Sequence, residues 1–210
     1  TFFVDLPDFT SSTSSLQVQR GVGTSSNGAG AFGASIHFST NEINPTAYAE
    51  INTTAGSFGT LRNTFKAGSG LVNGFTSEVR FSSIVSDGFI DRASSNLRSF
   101  FVTTAYQHKQ SSVRLNVFSG KEKTYQAWYG ISEADLRAGN RTVNYAGIEK
   151  PGSPYDNETD NYTQTHYQFF YNQGIGKRLQ FSTALFLTEG NGYYEQYKAD
   201  QRYAKYGMPD

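Results

Sequence analysis

LQVQRGVGTSSNGAGAFGASIHFST, residues Leu16 to Thr40, is the stretch on which the reading of the chain turns, because its residue order is too particular for generic β-protein. Two alternating runs, Leu16-Gln17-Val18-Gln19-Arg20 and Ala34-Ser35-Ile36-His37-Phe38, flank a Gly/Ser/Asn segment able to adopt positive φ. That predicts strand, glycine loop, strand. Within it, Gly28-Ala29-Gly30-Ala31-Phe32-Gly33 matches G-x-G-x-x-G, with Glu50 downstream as a nominal ribose acid. The context rules out a dinucleotide site: Thr24-Ser25-Ser26-Asn27 precedes the glycines where a buried strand is needed, and a period-two run follows where a helix must meet the pyrophosphate.

Outward from this stretch, Pro45 lies in a linker, and alternating segments then repeat. Ala47, Ala49 and Ile51 alternate with Tyr48, Glu50 and Asn52; Leu61, Phe65 and Ala67 with Arg62, Thr64 and Lys66; Val79 and Phe81 with Glu78 and Arg80. Further strands carry Phe100, Val102 and Tyr106, then Val113, Leu115 and Val117, then Tyr167, Phe169 and Tyr171, then Leu179, Phe181, Leu185 and Leu187. Asn73-Gly74 is a strong hairpin signal. Loops are expected at Asp87 to Asn96, at Gly120 to Asn161, and from Glu189 to Tyr197. A short helical turn is expected at Ser132 to Ala138, where Ser132 is placed to cap it.

Hydrophobic residues make up 37% of the chain and its mean hydropathy is -0.52, while Tyr (14) and Phe (17) are abundant. Such dispersed, aromatic hydrophobicity fits strands with one polar face. Eighteen basic and eighteen acidic residues cancel, which gives no electrostatic reason to expect nucleic acid. The absence of cysteine excludes a disulfide scaffold. No apolar run approaches the roughly 18 residues of a membrane-spanning helix.

The order Val18-Gln19-Arg20-Gly21, then Asn27 to Ala34, then Ser35 to Thr40 resembles the end of the plug domain of TonB-dependent outer-membrane transporters. In that family a strand of the type I-E-V-x-R-G precedes a small-residue loop, the run Y-G-x-G-A-x-G-G and a closing strand. Val22, Asn27 and Ala34 stand where the family often has Pro, Tyr and Gly. Phe118 to Trp128 also resembles barrel sequence in a Bacteroidetes-type branch. The resemblance implies an all-β chain, part of a transmembrane antiparallel β-barrel with about seven strands of an expected 22 or so. Residues 1–42 would be the C-terminal part of the plug, and 43–210 the first strands and loops of the barrel. The N-terminus shows no signal-peptide pattern, so the signal, the TonB-contacting segment and the first part of the plug are expected upstream. The expected function is active import of a scarce solute, an iron-siderophore or haem first and a glycan second, across the bacterial outer membrane. Expected partners are membrane lipid, TonB and a small-molecule or metal-chelate ligand.

The residues support this in one respect of their own. Alternate connections are tight, and the others lengthen along the chain, as in transmembrane barrels. Glu50, Arg62, Lys66, Glu78, Arg80 and Arg114 then face the lumen, with aromatic and aliphatic residues facing lipid. Periodicity alone is equally satisfied by a water-soluble sheet with one solvated face, so a secreted β-rich adhesin or carbohydrate-binding module is the alternative.

No nucleophile motif or paired-carboxylate pattern occurs, and neither an enzyme nor a cofactor is expected. His37, His108 and His166 are not in metal-ligand spacing, and Asp156 to Asp160 lacks the glycine and ligand spacing of a calcium loop. Arg20, a plug arginine facing a polar lumen, is expected to contact Glu50, Glu78 or a glutamate outside these 210 residues. Tyr125, Trp128 and Tyr129, at the start of the longest loop, are candidate ligand contacts, with an interfacial aromatic girdle as the plainer reading.

Overall fold

Alternating segments joined by tight turns can only pair with their neighbours in sequence, and the computed structural model has that arrangement. It describes residues 5–21, 33–40 and 42–209, so most of the glycine loop quoted above lies outside the described residues. Over the described residues the protein is all-β, with 54% strand and 8% helix. Strands β1 (Ser15–Arg20) and β2 (Ala34–Ser39) form a separate antiparallel pair, with Leu16 opposite Phe38 and Val18 opposite Ile36. Seven further strands form one antiparallel sheet in strict sequence order: β3 (Ala47–Ala55), β4 (Leu61–Ser69), β5 (Phe75–Ser86), β6 (Ser95–His108), β7 (Ser111–Tyr125), β8 (Thr159–Ile175) and β9 (Leu179–Tyr194).

The turns explain the register. Between β4 and β5, Asn73 (φ 51°) and Gly74 (φ 83°) are both left-handed, and Val72 and Phe75 exchange backbone hydrogen bonds across them. This is the turn whose twist matches paired strands. Lys109-Gln110 and Gly176 to Arg178 close the other two hairpins at the same end. At the opposite end lie Gly56 to Thr60, Asp87 to Ser94, and the long connection Gln126 to Glu158 with helix α1 (Glu133–Ala138). Ser132 caps α1 by accepting from the Asp135 N–H at 3.0 Å, as expected.

Three boundaries differ from the sequence expectation. β7 continues through Gly120 to Tyr125, β8 begins at Thr159, and β9 continues to Tyr194. Lys121-Glu122-Lys123 and Glu189-Gly190-Asn191 dominate these ends and leave no hydrophobic period to read.

The register sorts side chains into two opposed rows. On one face, Ala49, Ala67, Val79, Val102, Val117, Tyr167 and Leu187 follow one another across all seven strands. On the other, Asn52, Thr64, Ser82, Ser99, Gly120, Gln164 and Gly190 do the same. The second is called the inner face because the N-terminal segment Asp5 to Ser12 packs on it. Burial differs between the two faces. Inner-face Thr64, Arg80, Asn116 and Gln164 are buried, whereas outer-face Ile51 is 75% and Leu185 63% exposed.

Candidate functional site

The inner face is built around an acid supplied by the N-terminal segment. Asp8 adopts a left-handed backbone (φ 58°) at the head of a 3₁₀ turn, Phe9–Ser12, and its carboxylate is 2% exposed. It accepts hydrogen bonds from the hydroxyls of Ser11 (2.6 Å), Thr64 (2.7 Å) and Ser82 (2.6 Å). Arg62 lies 2.8 Å and Arg80 3.5 Å from its oxygens. Arg80, itself 1% exposed, also donates to Ser12 Oγ (2.7 Å) and Ser99 Oγ (3.1 Å), and Ser99 donates to the Pro7 carbonyl (2.6 Å). A buried charge is tolerated only with such a full set of partners. Burial pushes the Asp8 carboxyl up, but the hydroxyls of Ser11, Ser82 and Thr64 and the Arg62 guanidinium outweigh it and hold the group below the usual carboxylate range.

Apolar contacts complete the docking. The Phe9 ring meets Phe118 at 5.1 Å, Phe38 at 5.7 Å and Phe101 at 6.3 Å, so β2, β6 and β7 all touch one side chain of the segment. Gly120 permits the approach, because a Cβ there would sit 1.9 Å from the Asp5 carbonyl oxygen. Around this anchor the inner face is a connected polar surface. Tyr48 donates to Glu78, which pairs with Lys66 at 3.4 Å; Arg114 donates to Thr103, Thr103 to Asn116, and Asn116 to Gln168.

The expected contact of Arg20 with Glu50 or Glu78 is not formed. Arg20 ends β1 on an exposed strand and makes no ion pair among the described residues, Glu50 is exposed, and Glu78 is engaged by Lys66 and Tyr48. The polarity of the anchor is inverted: the acid comes from the N-terminal segment and the arginines from the sheet. One signal for this was present in the sequence. The residues assigned inward were Arg62, Lys66, Arg80 and Arg114 against Glu50 and Glu78, a cation surplus that calls for an acid from elsewhere.

The three aromatic candidates separate. Tyr125 is buried, donates to the Tyr155 carbonyl at 2.5 Å and carries the Arg92 guanidinium 5.7 Å above its ring, so it fastens the long loop. Gln126 and Asn144 do the same work through backbone carbonyls of Thr159, Glu195 and Asp91. Tyr129 is exposed. Trp128 packs edge-to-face on Tyr194 at 5.3 Å and lines a cleft of about 660 Å³ at the long-loop end of the inner face. Tyr162 and three acids, Asp5, Glu122 and Asp160, line it as well. Glu122 is 3% exposed, and its Oε2 has no hydrogen-bond partner among the described residues.

His166 lies flat against Phe118 at 4.7 Å and bonds to Gln164 and Thr188, which is a structural role. Among the described residues no three His, Asp or Glu side chains are placed to hold a metal ion. No protein-family model, no curated protein and no solved structure matches the chain.

Proposed function

We propose that the chain is part of a TonB-dependent outer-membrane transporter, with residues 1–42 the end of its plug and 43–210 the first strands of its barrel. The observation that carries this reading is the inverted polarity of the sheet: its polar face is buried and its apolar face is open. Phe65, Phe81, Leu115, Tyr167, Leu185 and Leu187 share the open face, which in water would be a large unsatisfied patch and in lipid is the required surface. A second feature agrees. The outer row Ile51, Phe65, Phe81, Phe100 turns polar at Ser119, Thr165 and Glu189, while the row nearer the tight turns stays apolar through Phe75, Tyr106, Val113 and Tyr171. A level apolar slab crossing tilted strands shifts in register in this way.

In this reading the tight turns face the periplasm and the long loops the exterior. The Asp8 cluster ties the plug side of the chain to the barrel wall, and the rest of the plug occludes the bore until TonB displaces it. The cargo is a scarce solute of the iron-siderophore or haem kind that the sequence resemblance implies. The protein as its cell makes it is expected to sediment with outer membranes, to resist carbonate washing and to come off only in detergent. Recovery in the soluble or secreted fraction without detergent would replace this reading with the adhesin or binding module.

A further inference from the structure

The cleft at the long-loop end joins two features that are costly apart. Glu122 lies on the inner face of β7 and is almost wholly buried, with one carboxylate oxygen lacking a hydrogen bond among the described residues. A buried carboxylate in that condition demands a countercharge or a proton. Asp160, from the neighbouring strand, and Asp5, from the docked segment, line the same space, and among the described residues no Lys or Arg does. Lys121 and Lys123 alternate with Glu122 and so belong to the opposite face, where Lys123 donates to Asn157. The rings of Trp128, Tyr162 and Tyr194 line the same cleft, Tyr162 from the position paired with Glu122 and Tyr194 from the one paired with Asp160.

We propose that this cleft binds an organic cation, an ammonium or guanidinium group on an apolar body, with Glu122 as countercharge and Trp128, Tyr162 and Tyr194 as walls. Carboxylate plus aromatic faces is the chemistry that recognises such ions. A bare metal ion fits less well, because no three acidic or imidazole groups converge on one point among the described residues. An anion is repelled by the three acids, and a neutral sugar would leave Glu122 without a countercharge. The volume suits a small molecule with an apolar body rather than a single ion. This inference concerns the cleft's own chemistry and stands whether or not the bound solute is then imported.

Trp128 is the sole tryptophan of these 210 residues, so the fluorescence of this chain reports on the cleft directly. The protein in detergent micelles is titrated with 2-phenylethylammonium, with 2-phenylethanol and phenylacetate as neutral and anionic counterparts, and with calcium chloride alone. The expected result is a saturable change with the ammonium, at least about tenfold tighter than with the alcohol, as one charged contact of ordinary strength gives. Glu122→Gln should weaken it by a similar factor and Asp160→Asn by less, while Lys121→Gln, on the opposite face, leaves it unchanged. Removing a buried charge is not expected to unfold the sheet, and unchanged strand circular dichroism verifies this for each variant. Equal affinity for ammonium and alcohol, indifference to Glu122→Gln, or an equal loss in Lys121→Gln would each overturn the proposal. So would a saturable signal from calcium alone that the ammonium does not displace.

Discussion

The inner row through Thr64, Ser82 and Ser99 and the outer row through Ala67, Val79 and Val102 lie three residues apart on the same strands, yet they solve opposite problems. The inner row is polar and is buried by a docked segment that satisfies it group by group. The outer row is apolar and half-buried, and Phe65 and Phe81 beside it on the same face are exposed. A sheet in water buries its apolar face at roughly 25 cal/mol per Å². This sheet forgoes much of that gain on its outer face, which is the feature the proposed lipid-facing reading rests on.

The comparison breaks most severely where the inner face loses its central charge. Asp8→Ala leaves Arg80 buried without its carboxylate, at a cost of about 3–5 kcal/mol. Hydrogen exchange at Phe9 to Ser12 should then rise to the level of an undocked segment. The same contact has a pH signature. The Asp8 carboxyl is held below its unfolded value, so its contribution is complete above the usual Asp range near pH 4 and is lost only as pH falls through the depressed folded value. Docking monitored by exchange or proteolysis should therefore survive mild acid and fail in stronger acid.

The outer face is sharpened next. Leu187→Arg, at an exposed position, would shift stability by no more than about 0.5 kcal/mol in water, but by up to about 2–4 kcal/mol in a bilayer, depending on depth. Folding titrations in lipid vesicles distinguish the two. A smaller effect, about 1–3 kcal/mol, is expected for Gly120→Ala, which drives a methyl group into the Asp5 carbonyl. It should loosen the N-terminal segment while leaving the β6–β7 ladder intact in exchange experiments. The smallest is Ser132→Ala, about 1 kcal/mol, confined to α1 in the long loop.

What was legible in the sequence was what local physics enforces. Alternation placed Val79 and Arg80 on opposite faces, Asn73-Gly74 announced its turn, and Ser132 announced its cap. The ends of β7 and β9 were not legible, because Lys121, Glu122 and Lys123, or Glu189, Gly190 and Asn191, carry no hydrophobic period. The anchor was half legible. The surplus of inward cations is visible, but Asp8 reaches Arg80 only through tertiary docking that no local pattern encodes. The place of Trp128 at the start of the longest loop is legible, whereas Glu122, which lines the same cleft, falls in a stretch without hydrophobic period that reads as loop.

The absence of native cysteine makes β9 the direct test of the central claim, since single cysteines can be placed at Phe181, Leu185 and Leu187 on the outer face and at Ser182 and Thr188 on the inner. In native membranes, a charged maleimide should label positions 182 and 188 and spare 181, 185 and 187, which a lipid-borne quencher should reach instead. Uniform labelling of all five by the charged reagent would mean that both faces meet water, and the lipid-facing account would be wrong.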